Sequence, residues 1–200
     1  MNAETTTPMW TCGMSLTGYR LVRGRGYCWI TEMKRTPLED ILAEIDRALD
    51  QGFYYLAVAT VLTLPDLCVS LASEDGRSNG KGYVKWCNDN LGNEFAWVTG
   101  DDLWSFRCGV SHNGRFGDLK HNVGRVIFSL PFRGNTFTNC QMNDAYVYSV
   151  EDFCRNFMSA VRSWYAAHES DATLRKNLDR MVQYRPDGLA PYISGMPLLA

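Results

Sequence analysis

SVEDFCRNFMSAVRSWY, residues 149–165, is the stretch whose reading decides the fold class. Within it Val150, Phe153, Cys154, Phe157, Met158, Val161, Trp164 and Tyr165 recur at spacings of three and four. On a helix of 3.6 residues per turn these form one unbroken apolar stripe. A stripe of that width must be covered by other apolar surface, so it predicts a core helix or a helix–helix interface rather than a cofactor box. The helix is expected to open at Ser149, and Leu174, Leu178 and Met181 suggest a more polar helix after it.

Upstream the same period recurs. Thr36 can cap a helix, Pro37 suits its first position, and Glu39 would complete a capping box. Leu38, Ile41, Leu42, Ile45 and Leu49 then share one face, and Gly52 ends the run. A second helix is predicted from about 53 to 73. Its first half is apolar nearly all round and should be the central, most buried element, and Pro65 should kink or restart it. After a Gly/Asn loop at 74–80, a third helix over about 81–90 carries Tyr83, Val84, Trp86 and Cys87. A fourth opens at Thr99, gains Asp102 at its positive end, runs through Leu103, Phe106 and Val110 towards His112, and stops at Asn113-Gly114.

The pattern changes after residue 120. Val123–Leu130 and Asp144–Val150 are rich in β-branched and aromatic residues, and Gly134-Asn135 between them is turn chemistry. The expected fold is therefore mainly α, a helical bundle with a small β-hairpin insertion near 123–150. Residues 1–32 show no sustained period. They read as an N-terminal extension, ordered or not, with Tyr19–Arg23 a candidate strand. The helical domain spans 33–185, and 186–200 forms a tail without a period.

Composition narrows the function classes. The 200 residues are 46% hydrophobic and 21% charged, with a formal net charge of −2. No overall positive field draws the protein to nucleic acid, so any such binding must come from a local patch. The longest apolar run, Phe53–Leu64, is about a dozen residues, short of the roughly 18 a membrane span needs. The N-terminus lacks a basic segment followed by an apolar one, so no secretory signal is read. Cys12, Cys28, Cys68, Cys87, Cys108, Cys140 and Cys154 are odd in number and form no CxxC pair. That pattern reads as a reduced, cytoplasmic protein whose thiols pack as small hydrophobes. Clustered Cys/His spacing, Walker motifs and dinucleotide fingerprints are absent, so no metal and no cofactor are expected.

The chain has three histidines, the usual side chain for proton transfer near neutral pH. His168 ends the long apolar stripe, where a cation meets a helix C-terminus. His121 lies in a Gly/Asn/Lys loop. His112 ends RCGVSH, Arg107–His112, late on the well-capped fourth helix. Five residues set Arg107 and His112 roughly 140° apart around the axis. A guanidinium to hold phosphate charge and an imidazole to move protons suit phosphodiester chemistry. The same residues also admit a structural reading, in which Arg107 pairs with an acid such as Asp66 or Asp102 and His112 caps its helix.

The R-x4-H arrangement, set late on a helix of a mostly helical domain, resembles the HEPN superfamily. The wider stretch DDLWSFRCGVSHNGRF also resembles an uncharacterised bacterial group with this motif. Many such domains are metal-independent endoribonucleases of toxin–antitoxin, phage-defence and CRISPR systems, and their motifs meet across a homodimer interface. The resemblance implies catalytic roles for Arg107 and His112, with Ser111 orienting one or the other. It implies cleavage of RNA by 2′-hydroxyl attack, and an antitoxin or defence partner of unknown identity. Arg115, Lys120 and Trp104 are the candidate substrate-binding residues, with Trp104 placed to stack a base. Arg77, Lys81 and Lys85 form a second basic group. The position after the motif arginine, commonly Asn, Asp or His in that superfamily, is Cys108 here. The alternatives are therefore an inactive RNA- or nucleotide-binding regulatory module, or a helical dimerisation protein.

Overall fold

A computed structural model describes residues 20–24, 27–31, 36–115, 125–133 and 137–200, the first two segments as backbone. The chain divides into two units, Met1–Arg35 and Thr36–Ala200. In the first, β1 (Arg20–Gly24) pairs antiparallel with β2 (Tyr27–Thr31), Arg20 opposite Thr31 and Gly24 opposite Tyr27. The candidate strand at Tyr19–Arg23 falls on β1 except for Tyr19, which lies outside the described residues.

The second unit is mainly α and is organised around α6 (Val150–His168). Its stripe is the core: Phe153, Cys154, Phe157 and Val161 are fully buried. Ser149 caps the helix, accepting the Asp152 N–H at 3.3 Å. Against α6 packs α1 (Pro37–Asp50), which buries Leu38, Leu42, Ile45 and Leu49. Thr36 Oγ1 accepts the Glu39 N–H at 3.2 Å, as expected of its cap. The Glu39 carboxylate corrects the other half of that expectation. It reaches across to Arg162 Nε at 3.0 Å on α6 instead of back to the helix start.

The apolar run after Gly52 forms α2 (Tyr54–Val61) and α3 (Leu64–Ala72). Pro65 has no N–H to give the Val61 carbonyl, so the helix breaks at Leu62–Thr63 and restarts. Tyr54–Ala72 is longer than the run read from the sequence and, with a mean hydropathy of 1.7, long and apolar enough to cross a membrane by length and composition alone; 44% of it is buried. Nor is its first half the most buried element. Ala57, Val58 and Val61 face inward, but Phe53, Tyr55 and Leu56 are each about 60% exposed. A segment apolar on all sides carries no period to say how much of it will be covered, and here α6 holds the centre.

The α4 helix (Gly80–Asn90) follows, its Asn79 cap accepting the Gly82 N–H at 2.9 Å. A short 3-10 turn, Asn93–Phe95, buries Phe95 and leads to α5 (Gly100–Asn113). Beyond α5 lies a three-stranded sheet of β3 (Arg125–Ser129), β4 (Cys140–Met142) and β5 (Ala145–Ser149), in the order β3-β5-β4. This corrects the hairpin expectation. The two apolar runs pair in parallel, Val126 opposite Tyr146. The hairpin is β4–β5, turned at Asn143-Asp144 with Asn143 at φ 55°. β5 is buried at all five positions, as a central strand should be, whereas β4 is three residues long and mostly exposed. So short an element leaves no alternation to read.

α7 (Ala172–Leu178) closes the helical part, with Asp171 Oδ1 accepting the N–H groups of Thr173 and Leu174. From it Asn177 donates Nδ2 to the carbonyls of Ser70, Leu71 and Ser73 at 3.2, 3.1 and 2.7 Å. One side chain thereby satisfies the open C-terminal end of α3 from another helix. Beyond α7 the chain forms two two-residue ladders, β6 (Tyr184–Arg185) with β9 (Leu198–Leu199) and β7 (Gly188–Leu189) with β8 (Ile193–Ser194). Strands of two residues are too short to imprint a pattern.

The thiols divide by burial. Cys68, Cys87 and Cys154 are buried free thiols, while Cys108 and Cys140 are half-buried. Burial raises all three buried thiols, Cys154 from 9.0 to about 12 and the other two further. The unfolded thiols ionise from about pH 9 while the folded ones stay protonated. Their contribution to stability is therefore constant below pH 9 and lost as pH rises towards 12. In native protein at pH 8, iodoacetamide is expected to label Cys108 and Cys140 and to spare Cys68, Cys87 and Cys154 until denaturant is added; mass spectrometry of the digest reads this directly.

Candidate functional site

The motif helix is held at both ends. Thr99 Oγ1 accepts the Asp102 N–H at 3.2 Å, and Asp102 Oδ2 accepts the Thr99 N–H at 3.0 Å, a closed capping box. Asp102 is thus committed to its own helix and does not meet Arg107. At the other end Gly114 takes the left-handed conformation, φ 64°, and the Arg115 N–H returns to the Gly109 carbonyl at 3.2 Å. Leu103, Phe106 and Val110 anchor the inner face. Arg107 and Cys108 lie half-buried on the flanks, and Ser111, His112 and Arg115 are exposed at the C-terminal end.

Arg107 is positioned by a chain of contacts. Its Nε donates to Asp66 Oδ2 on α3 at 2.8 Å, and Asp66 Oδ1 accepts the Ser78 hydroxyl at 2.6 Å. The side chains of Arg107 and Asp66 are only 25% and 16% exposed, which takes this pair out of the class of weak surface bridges. The guanidinium also lies 5.3 Å from the centre of the Trp104 ring. Trp104 in turn packs against Tyr83, ring centres 5.1 Å apart, and Tyr83 Oη donates to the Leu62 carbonyl at 2.9 Å. Gly80 makes room for the indole: a Cβ there would sit 3.1 Å from the ring. Of the five N–H donors of Arg107, the one at Nε is thus used, and no hydrogen bond among the described residues engages Nη1 or Nη2.

Not every residue expected of the site joins this cluster. Arg107 and Trp104 are together, with Trp104 half-buried against Gly80, Tyr83 and the Arg107 guanidinium. His112, Ser111 and Arg115 lie at the far end of α5, and Lys120 falls outside the described residues, as does His121. His168 follows its structural reading, with Nδ1 2.7 Å from the Trp164 carbonyl and the ring stacked on Trp164. Tyr55 Oη reaches within 4.0 Å of where a Gly114 side chain would begin, so the exposed apolar end of α2 adjoins the His112 end of α5. Among the described residues no group of three or more His, Cys, Asp or Glu comes together. Sequence reasoning missed Ser78, and it offered Asp66 only as one of two structural partners. The available signal was a lone carboxylate in an otherwise apolar helix, which must find a partner when buried.

Fold and site together define a mainly α protein with a small mixed sheet and a carboxylate-held arginine on a capped helix. Comparison with family models, with characterised proteins and with solved structures returns no match.

Proposed function

We propose that this chain is a HEPN-like, metal-independent endoribonuclease that works as a homodimer. The observation that carries the reading is Arg107: fixed through Nε by Asp66, with no hydrogen bond to Nη1 or Nη2 among the described residues, it shares its helix with an exposed imidazole. In the reaction the 2′-oxygen of RNA attacks the adjacent phosphorus and the bond to the 5′-oxygen breaks, leaving a 2′,3′-cyclic phosphate and a 5′-hydroxyl. His112 takes the 2′-hydroxyl proton and, as imidazolium, gives a proton to the departing 5′-oxygen. The Nη groups of Arg107 donate to the non-bridging oxygens as charge gathers on them, and Ser111 orients the imidazole or the phosphate.

One helix does not bring both groups to one phosphate. They lie roughly 140° apart in rotation and about 7.5 Å apart along the axis. A second copy completes the site by supplying the complementary half. Phe53, Tyr55 and Leu56, exposed beside the His112 end, provide apolar surface for that contact. A second reading has its own observation. The Asp66 pair ties α5 to α3, and that suffices to explain Arg107 in a module that binds RNA without cleaving it.

The deciding experiment incubates purified protein with end-labelled single-stranded RNA in EDTA. The expected result is cleavage to fragments with 2′,3′-cyclic phosphate ends. Salt-sensitive binding with intact RNA would transfer the case to the binding module, and neither binding nor cleavage would remove both readings.

A further inference from the structure

Past α7 the chain folds back on itself as an arm over 182–200. Tyr184 stands opposite Leu199 at one end and Leu189 opposite Ile193 at the other, so the two ladders form one interrupted hairpin. Backbone bonds close it: the Ala200 N–H returns to the Gln183 carbonyl at 2.9 Å, and the Gly195 N–H to the Asp187 carbonyl at 3.0 Å. Among the described residues none of its side chains joins the core, whose last contributor is Met181. A two-stranded hairpin with no core behind it is marginal in water, so this arm needs a cover.

Its surface is apolar. Val182, Tyr184, Tyr192, Ile193, Met196 and Leu199 are each between 46% and 81% exposed. At about 200 Å² for a whole large side chain, they leave on the order of 700 Å² in water, more than the roughly 300–600 Å² of the largest apolar patch usual on a monomer. Residues 181–200 hold only two charged side chains, Arg185 and Asp187, where the chain as a whole is 21% charged. Rich in tyrosine and methionine and poor in charge, the arm has the composition of an interface centre. The α2 face has the same character. Phe53, Tyr55 and Leu56 are exposed, and Asp66 is the one charged residue in Tyr54–Ala72. Within one copy the two surfaces do not cover each other, since both stay exposed.

We propose that the arm of one copy packs on the exposed α2 face of a second copy, and that the second copy's arm returns the contact. The chain carries both halves of this contact, and two-fold symmetry makes it twice. Arm and α2 face together offer on the order of 1,000 Å² per copy, which meets the roughly 800 Å² per partner of a stable interface. A second copy therefore covers both apolar surfaces at once, where a partner fitted to the arm alone would leave α2 bare. The inference names what covers α2 in the homodimer invoked above; it rests on that dimer and not on the nuclease chemistry.

The test is sedimentation velocity of the full chain at micromolar concentration, where a dimer is expected. Tyr192→Glu on the arm and Leu56→Glu on α2 each spoil both symmetric contacts, so each is expected to raise the dimer dissociation constant by about 100-fold. Both side chains are exposed, and the helical circular dichroism signal should stay unchanged. Mixing the two variants is expected to bring a dimer back, because one of the two contacts then joins an unaltered arm to an unaltered α2 face. A monomer in the unaltered chain would overturn the pairing and leave the arm to another kind of partner. A dimer that survives either substitution, or a mixture that stays monomeric, would overturn it too. RNA cleavage by a dimer indifferent to Tyr192→Glu would sink the arm and spare the nuclease; an arm-dependent dimer that leaves RNA intact would do the reverse.

Discussion

Phe153→Ala is expected to lower the stability of the Thr36–Ala200 unit by about 3–5 kcal/mol, the range for a buried phenylalanine emptied to alanine. Phe153 is fully buried and is the hub of the aromatic core. Its ring centre lies 4.8 Å from Phe128 on β3, 5.5 Å from Tyr148 on β5, 5.5 Å from Phe95 in the 3-10 turn and 5.0 Å from Phe157 one helical turn on. Three of the four contacts are edge-to-face, the geometry that adds to plain area burial. Truncation therefore removes a side chain that joins α6, both apolar strands and the 3-10 turn at once, and the neighbours belong to different elements that cannot all collapse into the gap. Total stabilities of natural domains are about 5–15 kcal/mol, so the variant should unfold at markedly lower denaturant. In a unit of this size each kcal/mol moves the melting point by about 2–4 °C, so circular dichroism should record a fall of at least about 6 °C. By contrast, Arg155→Ala and Arg162→Ala, which break the exposed pairs of α6 with α1, should change it little. A Phe153→Ala protein that melts like the parent would mean that this aromatic cluster does not hold the fold.

The same hub shows what the sequence discloses and what it does not. The α6 stripe was legible because every apolar position repeats at helical spacing and all are covered from one side. Thr99 and Gly114 were legible as the ends of α5 because caps are local chemistry. The site was legible only along its own helix. Asp66 stands 41 residues before Arg107 and meets it only once α3 and α5 are packed; no local rule chooses between Asp66 and Asp102 until the capping box has claimed Asp102. The parallel pairing of β3 with β5 was hidden for a related reason. Turn chemistry at Gly134-Asn135 argues for a hairpin, but register is settled by the sheet partners of the buried β5, and the strand that forms the actual hairpin is three residues long. The exposure of α2 was hidden because an all-apolar surface has no direction.

His112→Ala is expected to lower the rate of RNA cleavage in EDTA by about 10²–10⁴-fold, the usual worth of a positioned proton-transfer group. Arg107→Ala should cost about 10²–10³-fold through loss of charge stabilisation in the transition state. The discriminating variant is Asp66→Asn. Asparagine keeps the size and one acceptor oxygen but removes the charge that steers Nε of Arg107, a partner buried enough to feel the change. If Asp66 serves only to fasten α3 to α5, the variant loses stability and the remaining folded protein cleaves at the parental rate. If Asp66 positions Arg107 for phosphate, turnover falls by about tenfold in fully folded protein while His112 is untouched. The rate loss should then be non-additive: Asp66→Asn combined with Arg107→Ala should be no slower than Arg107→Ala alone, because a positioning residue has nothing left to position. Rates multiplying in the double variant would show that Asp66 acts independently of Arg107, and the chain Ser78–Asp66–Arg107 would then be a structural tie and not a catalytic support.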